Sequence, residues 1–154
     1  MIKINIAKKN DLNKIVILRF LAQKYTADFD KDVIISKKTK QDLARLTKQE
    51  FKDPRITYLL VTKKNNPIGF AILSVAPEID NTAFIGELFI KTKYRHQGIG
   101  RQLIKKTTEL VTKKGIKNLR VTVALKNKSA QKFYKKFGFS IKKRDYLLME
   151  KPLN

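Results

Sequence analysis

The spacing of apolar residues along this chain switches between a period of two and a helical period, and each switch marks the border of a predicted element. Apolar runs rich in β-branched and aromatic residues predict strands over residues 2–8, 56–64, 68–76, 83–90, 119–125 and 146–150. Apolar residues three and four positions apart predict helices after Asn10 or Asp11, after a cap at Thr39, from Ile99 to Gly115 and over residues 129–139. This order predicts a mixed α/β sheet, with hairpins first and a strand–helix–strand–helix–strand unit afterwards.

Turn residues separate these elements. A short polar segment, NNP, joins residues 56–64 to residues 68–76, which predicts a β-hairpin. Pro54 ends the second helix, because the residue before a proline disfavours the helical conformation. Residues 26–39 have no clear period and are predicted to be a loop or a broken helix, while alternation after Phe139 predicts a further short strand. The second helix has a predicted apolar face: Leu43, Leu46 and Phe51.

The strand predicted over residues 83–90, AFIGELFI, differs from the others because it is apolar on both faces apart from Glu87. Such a strand is typical of the buried centre of a sheet. A single carboxylate there is either a structural ion-pair partner, for example of a lysine, or a group kept for chemistry. The sequence alone leaves both explanations open.

The composition limits the class of protein. The 154 residues predict one domain over residues 1–154, large enough to bury a core. The chain has no cysteine and a single histidine, His96, which excludes a thiolate site and a histidine-rich site, so we expect no metal. The first residues lack the apolar run of a signal peptide, and no run is long enough to cross a bilayer. We therefore expect a cytoplasmic protein with no membrane partner.

Charge changes this picture more than any other property. The chain has 35 Lys and Arg residues against 13 Asp and Glu residues, a net charge of +22. Residues 1–87 hold 16 basic and 10 acidic residues, whereas residues 88–154 hold 19 basic and 3 acidic ones. Such a field attracts polyanions, including nucleic acid and phosphorylated cofactors, although lysine-rich solvated faces would give the same total. The asymmetry predicts an anionic partner for the second half.

The segment RHQGIG, residues 95–100, connects the central strand to the third helix. Gly98 and Gly100 lack side chains that would keep an anion from the free amides of a helix N-terminus, and Arg95 and Arg101 add positive charge. The turn therefore fits a phosphate or pyrophosphate. The alternative is a turn whose glycines only supply positive φ angles. The segment is neither the dinucleotide-binding fingerprint, which needs a third glycine, nor a P-loop.

Two motifs extend this prediction. The stretch ELFIKTKYRHQGIGRQLI resembles the cofactor-binding motif of the GNAT superfamily of N-acyltransferases, Arg/Gln-x-x-Gly-x-Gly/Ala, which Arg95, Gly98 and Gly100 fill. Downstream, NKSAQKFYKKFGF resembles the family's Asn-x-x-Ala-x-x-x-Tyr-x-x-x-Gly-Phe helix, with matches at Asn127, Ala130, Tyr134, Gly138 and Phe139. The resemblance implies a GNAT-like α/β fold, with a mixed, mostly antiparallel central sheet flanked by helices.

The same resemblance implies acetyl-CoA as the co-substrate. In the family the pyrophosphate lies on the backbone of the glycine turn, and the pantetheine arm pairs with the strand before it. The implied cofactor-binding residues are Leu88, Phe89, Ile90, Arg95, His96, Gln97, Gly98, Ile99, Gly100, Arg101 and Asn127. Asn127 also fits the N-cap of the last helix, and the two roles are compatible.

Acetyl transfer to an amine requires a deprotonated amine and a protonated leaving thiolate. The resemblance implies that Tyr134 is the general acid, whereas its place in an apolar stripe also fits a core aromatic residue. Many family members carry an acidic residue at the position of Glu87, which implies a general base whose pKa burial would raise. His96 lies in the turn, away from the expected acyl group, and Thr122 stands where some members carry a glutamate.

The acceptor is expected beside residues 20–55 and 77–87, as in the family. Carboxylates suited to a cationic amine occur there, although they equally fit caps and solvated loops: Asp28, Asp30, Asp32, Glu78, Asp80 and Glu87. A polyamine, an aminoglycoside, an amino acid and a protein N-terminus or lysine remain open, as do a monomer and a homodimer. Two other functions compete with the enzyme: a basic nucleic-acid-binding domain, and a GNAT-like domain that binds CoA without catalysis. The paired motifs favour the enzyme, with nucleic acid as a secondary partner.

Overall fold

A sheet of five strands carries helices on both faces in the computed structural model, which describes residues 1–142. The strands are β1 (Ile2–Ile6), β2 (Ile56–Lys63), β3 (Asn66–Ala76), β4 (Thr82–Ile90) and β5 (Asn118–Val121). The helices are α1 (Leu12–Thr26), α2 (Thr39–Glu50), α3 (Ile99–Lys113) and α4 (Lys128–Lys136). The strands lie in chain order, and all neighbours are antiparallel except β4 and β5. The predicted mixed, mostly antiparallel sheet is confirmed.

The predicted hairpin joins β2 to β3 through a turn of two residues. Lys64 and Asn65 both have positive φ angles, 48° and 64°. Two positive φ angles give a turn whose twist matches that of the flanking strands. The long, buried strands β2 and β3 therefore start from a fixed register, in which Lys63 faces Asn66.

Each face of the sheet is covered by a different pair of helices. Ile15 and Leu18 of α1 pack with Phe70 on one face, whereas Ile99 and Leu103 of α3 pack on the other. All five side chains are buried. The helical spacing in the sequence thus indicated the correct buried stripes, and α1 and α3 hold β4 between them.

Helix α2 departs from the prediction in two details. Thr39 is its first residue rather than its cap, and the Thr39 hydroxyl oxygen accepts a hydrogen bond from the Ser36 amide at 2.8 Å. The predicted apolar face is wrong at Leu46, whose side chain is 43% exposed. The buried residues are instead Thr39, Leu43 and Thr47, spaced four residues apart. The Thr47 hydroxyl accepts a hydrogen bond from Arg19 of α1.

The strand predicted over residues 119–125 is shorter than expected. β5 begins at Asn118 but ends at Val121, where its pairing with β4 stops. Residues 140–142, after Phe139, form no strand. The strand predicted over residues 146–150 lies outside the described residues.

Candidate active site

Strand β4 is paired along only part of one edge. Its full length pairs with β3, but β5 pairs only with residues 82–85. Among the described residues, the backbone of residues 86–90 has no strand on that side; we call it the open edge. The Phe89 and Ile90 side chains are buried on opposite faces of the sheet. The open edge therefore offers backbone N–H and C=O groups to an extended ligand.

The open edge leads into the predicted anion-binding turn. Within residues 1–142, none of the backbone N–H groups of residues 96–101 has a hydrogen-bond acceptor, and the first bond of α3 runs from the Gln102 amide to the Gly98 carbonyl at 3.2 Å. We call residues 96–101 the amide turn. Free amides at the start of a 15-residue helix carry partial positive charge, which suits a phosphate.

The two glycines of the turn have separate tasks. Gly98 has a φ of +76°, and a Cβ atom built there would meet nothing within 4 Å. Gly100 is helical, and a Cβ atom there would lie 2.8 Å from Cε2 of Phe133 in α4. Gly98 therefore supplies backbone conformation and leaves space open for a ligand. Gly100 instead allows α3 and α4 to pack closely, a role that the motif does not reveal.

Arg95 does not extend freely into solvent. Its Nε–H donates to the Ile90 carbonyl at 2.8 Å, and its guanidinium carbon lies 4.1 Å from the centre of the Tyr25 ring. The arginine thus ties the end of the open edge and the C-terminal part of α1 to the amide turn. The assignment of Arg95 as a cofactor-binding residue stays a prediction. Its two contacts favour an indirect role, in which Arg95 positions the neighbouring backbone.

The downstream motif supplies the N-cap of α4 and the buried tyrosine of that helix. The Asn127 side-chain oxygen accepts from the Ala130 amide at 3.0 Å, so Asn127 is the N-cap of α4 as predicted. Tyr134 is only 8% exposed and packs edge-on against Phe133 and Phe139. Burial raises the pKa of the Tyr134 hydroxyl to about 12. This hydroxyl therefore keeps its proton at neutral pH, as a proton donor must.

Glu87 owes its direction to a β-bulge. Ile72 of β3 faces Glu87, but Leu73 faces Ile85, so Gly86 is the extra residue on β4. An extra residue reverses the alternation of side chains that follows it. Ile85 accordingly packs with α3 and α4, whereas Glu87 points to the face covered by α1. Without the bulge these two residues would share a face.

Glu87 belongs to a buried group of polar side chains that we call the arginine cluster. Arg19 of α1 is 4% exposed and donates through Nε and Nη2 to one oxygen of Glu87, Oε1, at 3.0 and 2.7 Å. Its Nη1 contacts Thr47, Glu50 and Tyr58 at 2.9, 2.5 and 2.9 Å. The Tyr58 hydroxyl in turn donates a short hydrogen bond to Glu50. One guanidinium therefore joins α1, α2, β2 and β4.

The surroundings of the Glu87 carboxyl shift its pKa in opposing directions. Burial raises the pKa of the Glu87 carboxyl, and the nearby Glu50 charge acts in the same direction, while Arg19 opposes the rise. Burial also raises the pKa of Tyr58 well above its ordinary value. The second oxygen of Glu87, Oε2, accepts no hydrogen bond from residues 1–142, and the side chain is 28% exposed. A carboxylate in this state has one oxygen fixed and one available.

The sequence analysis missed four members of this cluster: Arg19, Thr47, Glu50 and Tyr58. One signal pointed to it, because Arg19 lies on the apolar face of α1, four residues after Ile15. The other predicted carboxylates do not gather around Glu87. Asp80 pairs with Arg120 at 2.6 Å beyond the start of β4, and Asp30 accepts from the Asp32 amide within its own loop.

The described residues also bear on membrane spans, metal sites and cavities. Across residues 1–142, no helix has both the length and the apolarity needed to span a bilayer. The same residues contain no group of three or more potential metal ligands. A groove of about 520 Å³ runs between α1 and α2, with Gln23, Asp42 and Gln49 among its lining residues. It lies apart from the amide turn.

Comparison with known proteins places this geometry in a family. The family model described as acetyltransferase (GNAT) family matches residues 18–139. The chain is 29% identical over 121 residues to a spermidine N(1)-acetyltransferase of Thermoplasma acidophilum, covering 79% of this chain and 73% of the relative. It is 40% identical over 55 residues to a thialysine N-epsilon-acetyltransferase of Bos taurus, a match that covers 36% of this chain and only 32% of that protein's length.

A solved structure shows the same fold. The PaiA N-acetyltransferase from Thermoplasma acidophilum, in complex with coenzyme A, superposes with a TM-score of 0.74 at 26% identity. The superposition covers 94% of this chain and 93% of the other. That protein therefore binds coenzyme A on a fold that this chain shares.

Proposed function

The chain belongs to the GNAT family of acetyltransferases and is an N-acetyltransferase, and we propose that it moves the acetyl group of acetyl-CoA onto a cationic amine. The observation that carries the choice of donor is the open edge together with the free amides of the amide turn, which begins six residues after the last residue of the open edge. A cytoplasmic location is part of the proposal, because acetyl-CoA is a metabolite of the cell interior. The family membership predicted from the two motifs is confirmed.

The open edge and the amide turn fit the two chemically different parts of this donor. The free N–H groups of residues 96–101 suit a pyrophosphate, and the space beside Gly98 leaves room for it. The backbone of residues 86–90 suits the amide-containing pantetheine arm, which can pair with it as a further strand would. Acetyl-CoA would supply an activated thioester at the end of that arm. The structure of a relative with coenzyme A supports the assignment.

Glu87 and Tyr134 lie on opposite faces of β4, which suggests how the proton transfers are divided. The available Oε2 of Glu87 accepts a proton from the amine on the α1 face, and the Tyr134 hydroxyl donates its proton to the leaving sulfur on the α4 face. A carbon–nitrogen bond forms while the carbon–sulfur bond breaks. An ammonium acceptor loses one proton to solvent before the attack and the second to Glu87 during it. The products are the acetylated amine and free CoA thiol, and exchange with solvent deprotonates Glu87 and reprotonates Tyr134. The Tyr134 hydroxyl is protonated at neutral pH and therefore has a proton to donate, although burial makes it a weaker acid than an exposed tyrosine.

The charge of the arginine cluster supports a cationic acceptor. Glu50 and Glu87 share the single positive charge of Arg19, so the cluster has one uncompensated negative charge when both carboxylates are ionised. That charge sits in a chain of net charge +22. An approaching ammonium group would be repelled by the net charge of the molecule and attracted by the local negative charge of the cluster. The spermidine acetyltransferase from Thermoplasma acidophilum is a relative whose named acceptor is polycationic.

A thiol-release assay with acetyl-CoA tests the proposal on four amines: spermidine, kanamycin, lysine and butylamine. We expect kcat/KM to be highest for the polycations and lowest for butylamine, which carries one charge. Saturable binding of acetyl-CoA with no turnover of any amine would favour the CoA-binding domain without catalysis. Binding to random DNA that weakens steeply with salt would favour the nucleic-acid-binding alternative.

A further inference from the structure

Arg19 is the most thoroughly engaged charged residue of the described chain. Its guanidinium contacts four side chains on three other elements, and Arg19 is nearly inaccessible to solvent. A buried arginine costs desolvation energy unless its donors are paired, and here all three nitrogens have acceptors. Residues that only pack a helix are usually apolar. The polar network therefore calls for a reason besides packing.

The contacts of Arg19 are unequal in a way that bears on the reaction. Nε and Nη2 both donate to the same oxygen of Glu87, Oε1, which holds that oxygen in place and leaves Oε2 without a hydrogen bond from residues 1–142. Nη1 is committed to Glu50, which also accepts from Tyr58. Tyr58, Ile72 and Glu87 face one another across β2, β3 and β4, so Arg19 spans the middle strand. Glu87 thus receives a share of the positive charge rather than all of it.

We propose that Arg19 is a positioning residue for the transfer reaction, which acts by dividing one guanidinium between Glu87 and Glu50. Because Arg19 is shared, Oε2 of Glu87 stays available to the acceptor, and the negative charge of the Glu87 carboxylate is only partly compensated. The inference rests on the proposed function, in which Glu87 is the base. A fully paired carboxylate would be too weak a base, and an unpaired buried one would hold its proton.

The direction of each effect follows from the groups that face Glu87. These are Arg19 from α1, Glu50 from α2 and Tyr58 from β2. Loss of the guanidinium removes the charge that opposes protonation of Glu87, so its pKa rises further. Loss of the Glu50 charge removes a repulsion and leaves Arg19 to Glu87 alone, so the pKa of Glu87 falls. The charges of any such ion-pair cluster would produce opposite shifts, so the kcat–pH profile must move with them if Arg19 acts on the reaction.

Carbon-13 NMR of the glutamate side-chain carboxyls measures this directly, since the whole chain has only five glutamates. Glu87→Gln identifies the Glu87 signal by its loss. Relative to the wild-type protein, we expect Arg19→Gln to raise the pKa of Glu87 by about one unit or more and Glu50→Gln to lower it by a similar amount. Arg45→Gln is the matched control, because it removes an exposed arginine whose salt-bridge partner within residues 1–142 is Asp42, and it should leave the pKa of Glu87 unchanged.

The outcomes separate this inference from the proposed function. Opposite shifts, accompanied by matching movements of the acid limb of the kcat–pH profile with spermidine and by an unchanged Kd for acetyl-CoA, support Arg19 as a positioning residue. If Arg19→Gln does not fold, a fall in Glu50→Gln alone supports it, and an unmoved or raised pKa there overturns it. When the shifts are missing but Glu87→Gln is inactive, only the inference fails. Wild-type turnover by Glu87→Gln overturns the base assignment and the inference together.

Discussion

The proposed donor side and the proposed acceptor side of this enzyme are built from different parts of the polypeptide. The donor side consists of backbone: the open edge of residues 86–90 and the free amides of residues 96–101, which follow each other in the chain. The acceptor side consists of side chains, because Arg19, Glu50 and Glu87 come from three separate elements. A backbone site needs glycines and a helix start. A side-chain site needs the whole fold to bring its parts together.

The two sides also differ in the sign of their charge. The second half of the chain, which carries the amide turn, holds 19 basic and 3 acidic residues, whereas the arginine cluster has an excess of carboxylate. Such a division keeps an anionic donor and a cationic acceptor from competing for one surface. Substitutions that damage one side and spare the other are therefore the sharpest tests of the comparison.

Glu87→Gln is expected to have the largest effect, and the effect should be on kcat rather than on acetyl-CoA binding. Removing a positioned general base lowers kcat by about 1,000-fold, while acetyl-CoA binds to backbone and keeps its Kd. Steady-state turnover with spermidine and a calorimetric titration measure the two quantities. Glu78→Gln is the control, because it removes an exposed carboxylate from the β3–β4 connection. Equal losses in both variants would show that net charge matters rather than the base.

Tyr134→Phe is expected to lower kcat by about 100-fold, since the leaving thiolate loses its proton donor. The ring keeps its contacts with Phe133 and Phe139, and its hydroxyl has no hydrogen-bond partner within residues 1–142, so the thermal midpoint should change little. Turnover and melting are measured on the same preparation. Unaltered kcat would reduce Tyr134 to a core aromatic residue.

Gly98→Val should weaken acetyl-CoA binding by about 10-fold or more, because a β-branched residue cannot hold a φ of +76° without strain. Gly115→Val is a matched control: Gly115 has a φ of +73° and equal space around it, but it lies after the C-terminal end of α3. Both variants should lose similar unfolding free energy, and only Gly98→Val should lose affinity. Equal affinities would remove the amide turn from the donor site.

Gly100→Ala is expected to have the smallest effect on the donor, because this glycine serves packing. The added methyl group would lie 2.8 Å from the Phe133 ring and should cost about 1–3 kcal/mol of unfolding free energy. The double variant Gly100→Ala with Phe133→Leu should recover part of that loss in chemical denaturation. If Gly100→Ala instead weakened acetyl-CoA binding while leaving stability intact, Gly100 would belong to the ligand site.

The local structure of the proposed donor side could be predicted from the sequence, whereas the arginine cluster could not, and the reason is physical. The central strand, the glycine turn, α3 and the Asn127 cap are local, and local patterns determine them. The predicted role of Gly100 was incomplete, because only the fold shows that Phe133 lies against it. Glu87 lies on the face opposite to Ile85 because of a bulge at Gly86, and a one-residue change of register carries no signal in the sequence.

The arginine cluster shows the same limit from the other side. Glu87 stands out in the sequence because it interrupts an apolar strand, but the sequence does not identify its partner, Arg19; the structural explanation named a lysine as an example. Leu46 was placed on the buried face of α2 because it is apolar, whereas Thr47 occupies that face to reach the guanidinium. Buried polar residues that hydrogen-bond to one another have the same sequence pattern as exposed polar residues, so only the folded structure reveals them.

The most direct test of the backbone donor site is a calorimetric titration of the wild-type protein and of Gly98→Val with acetyl-CoA, at low and at physiological salt. We predict one saturable site in the wild-type protein that persists at physiological salt, and a clear loss of affinity in the variant. Binding that disappears with salt, or that is equal in both proteins, would contradict the account, since the attraction would then come from net charge and not from the amide turn.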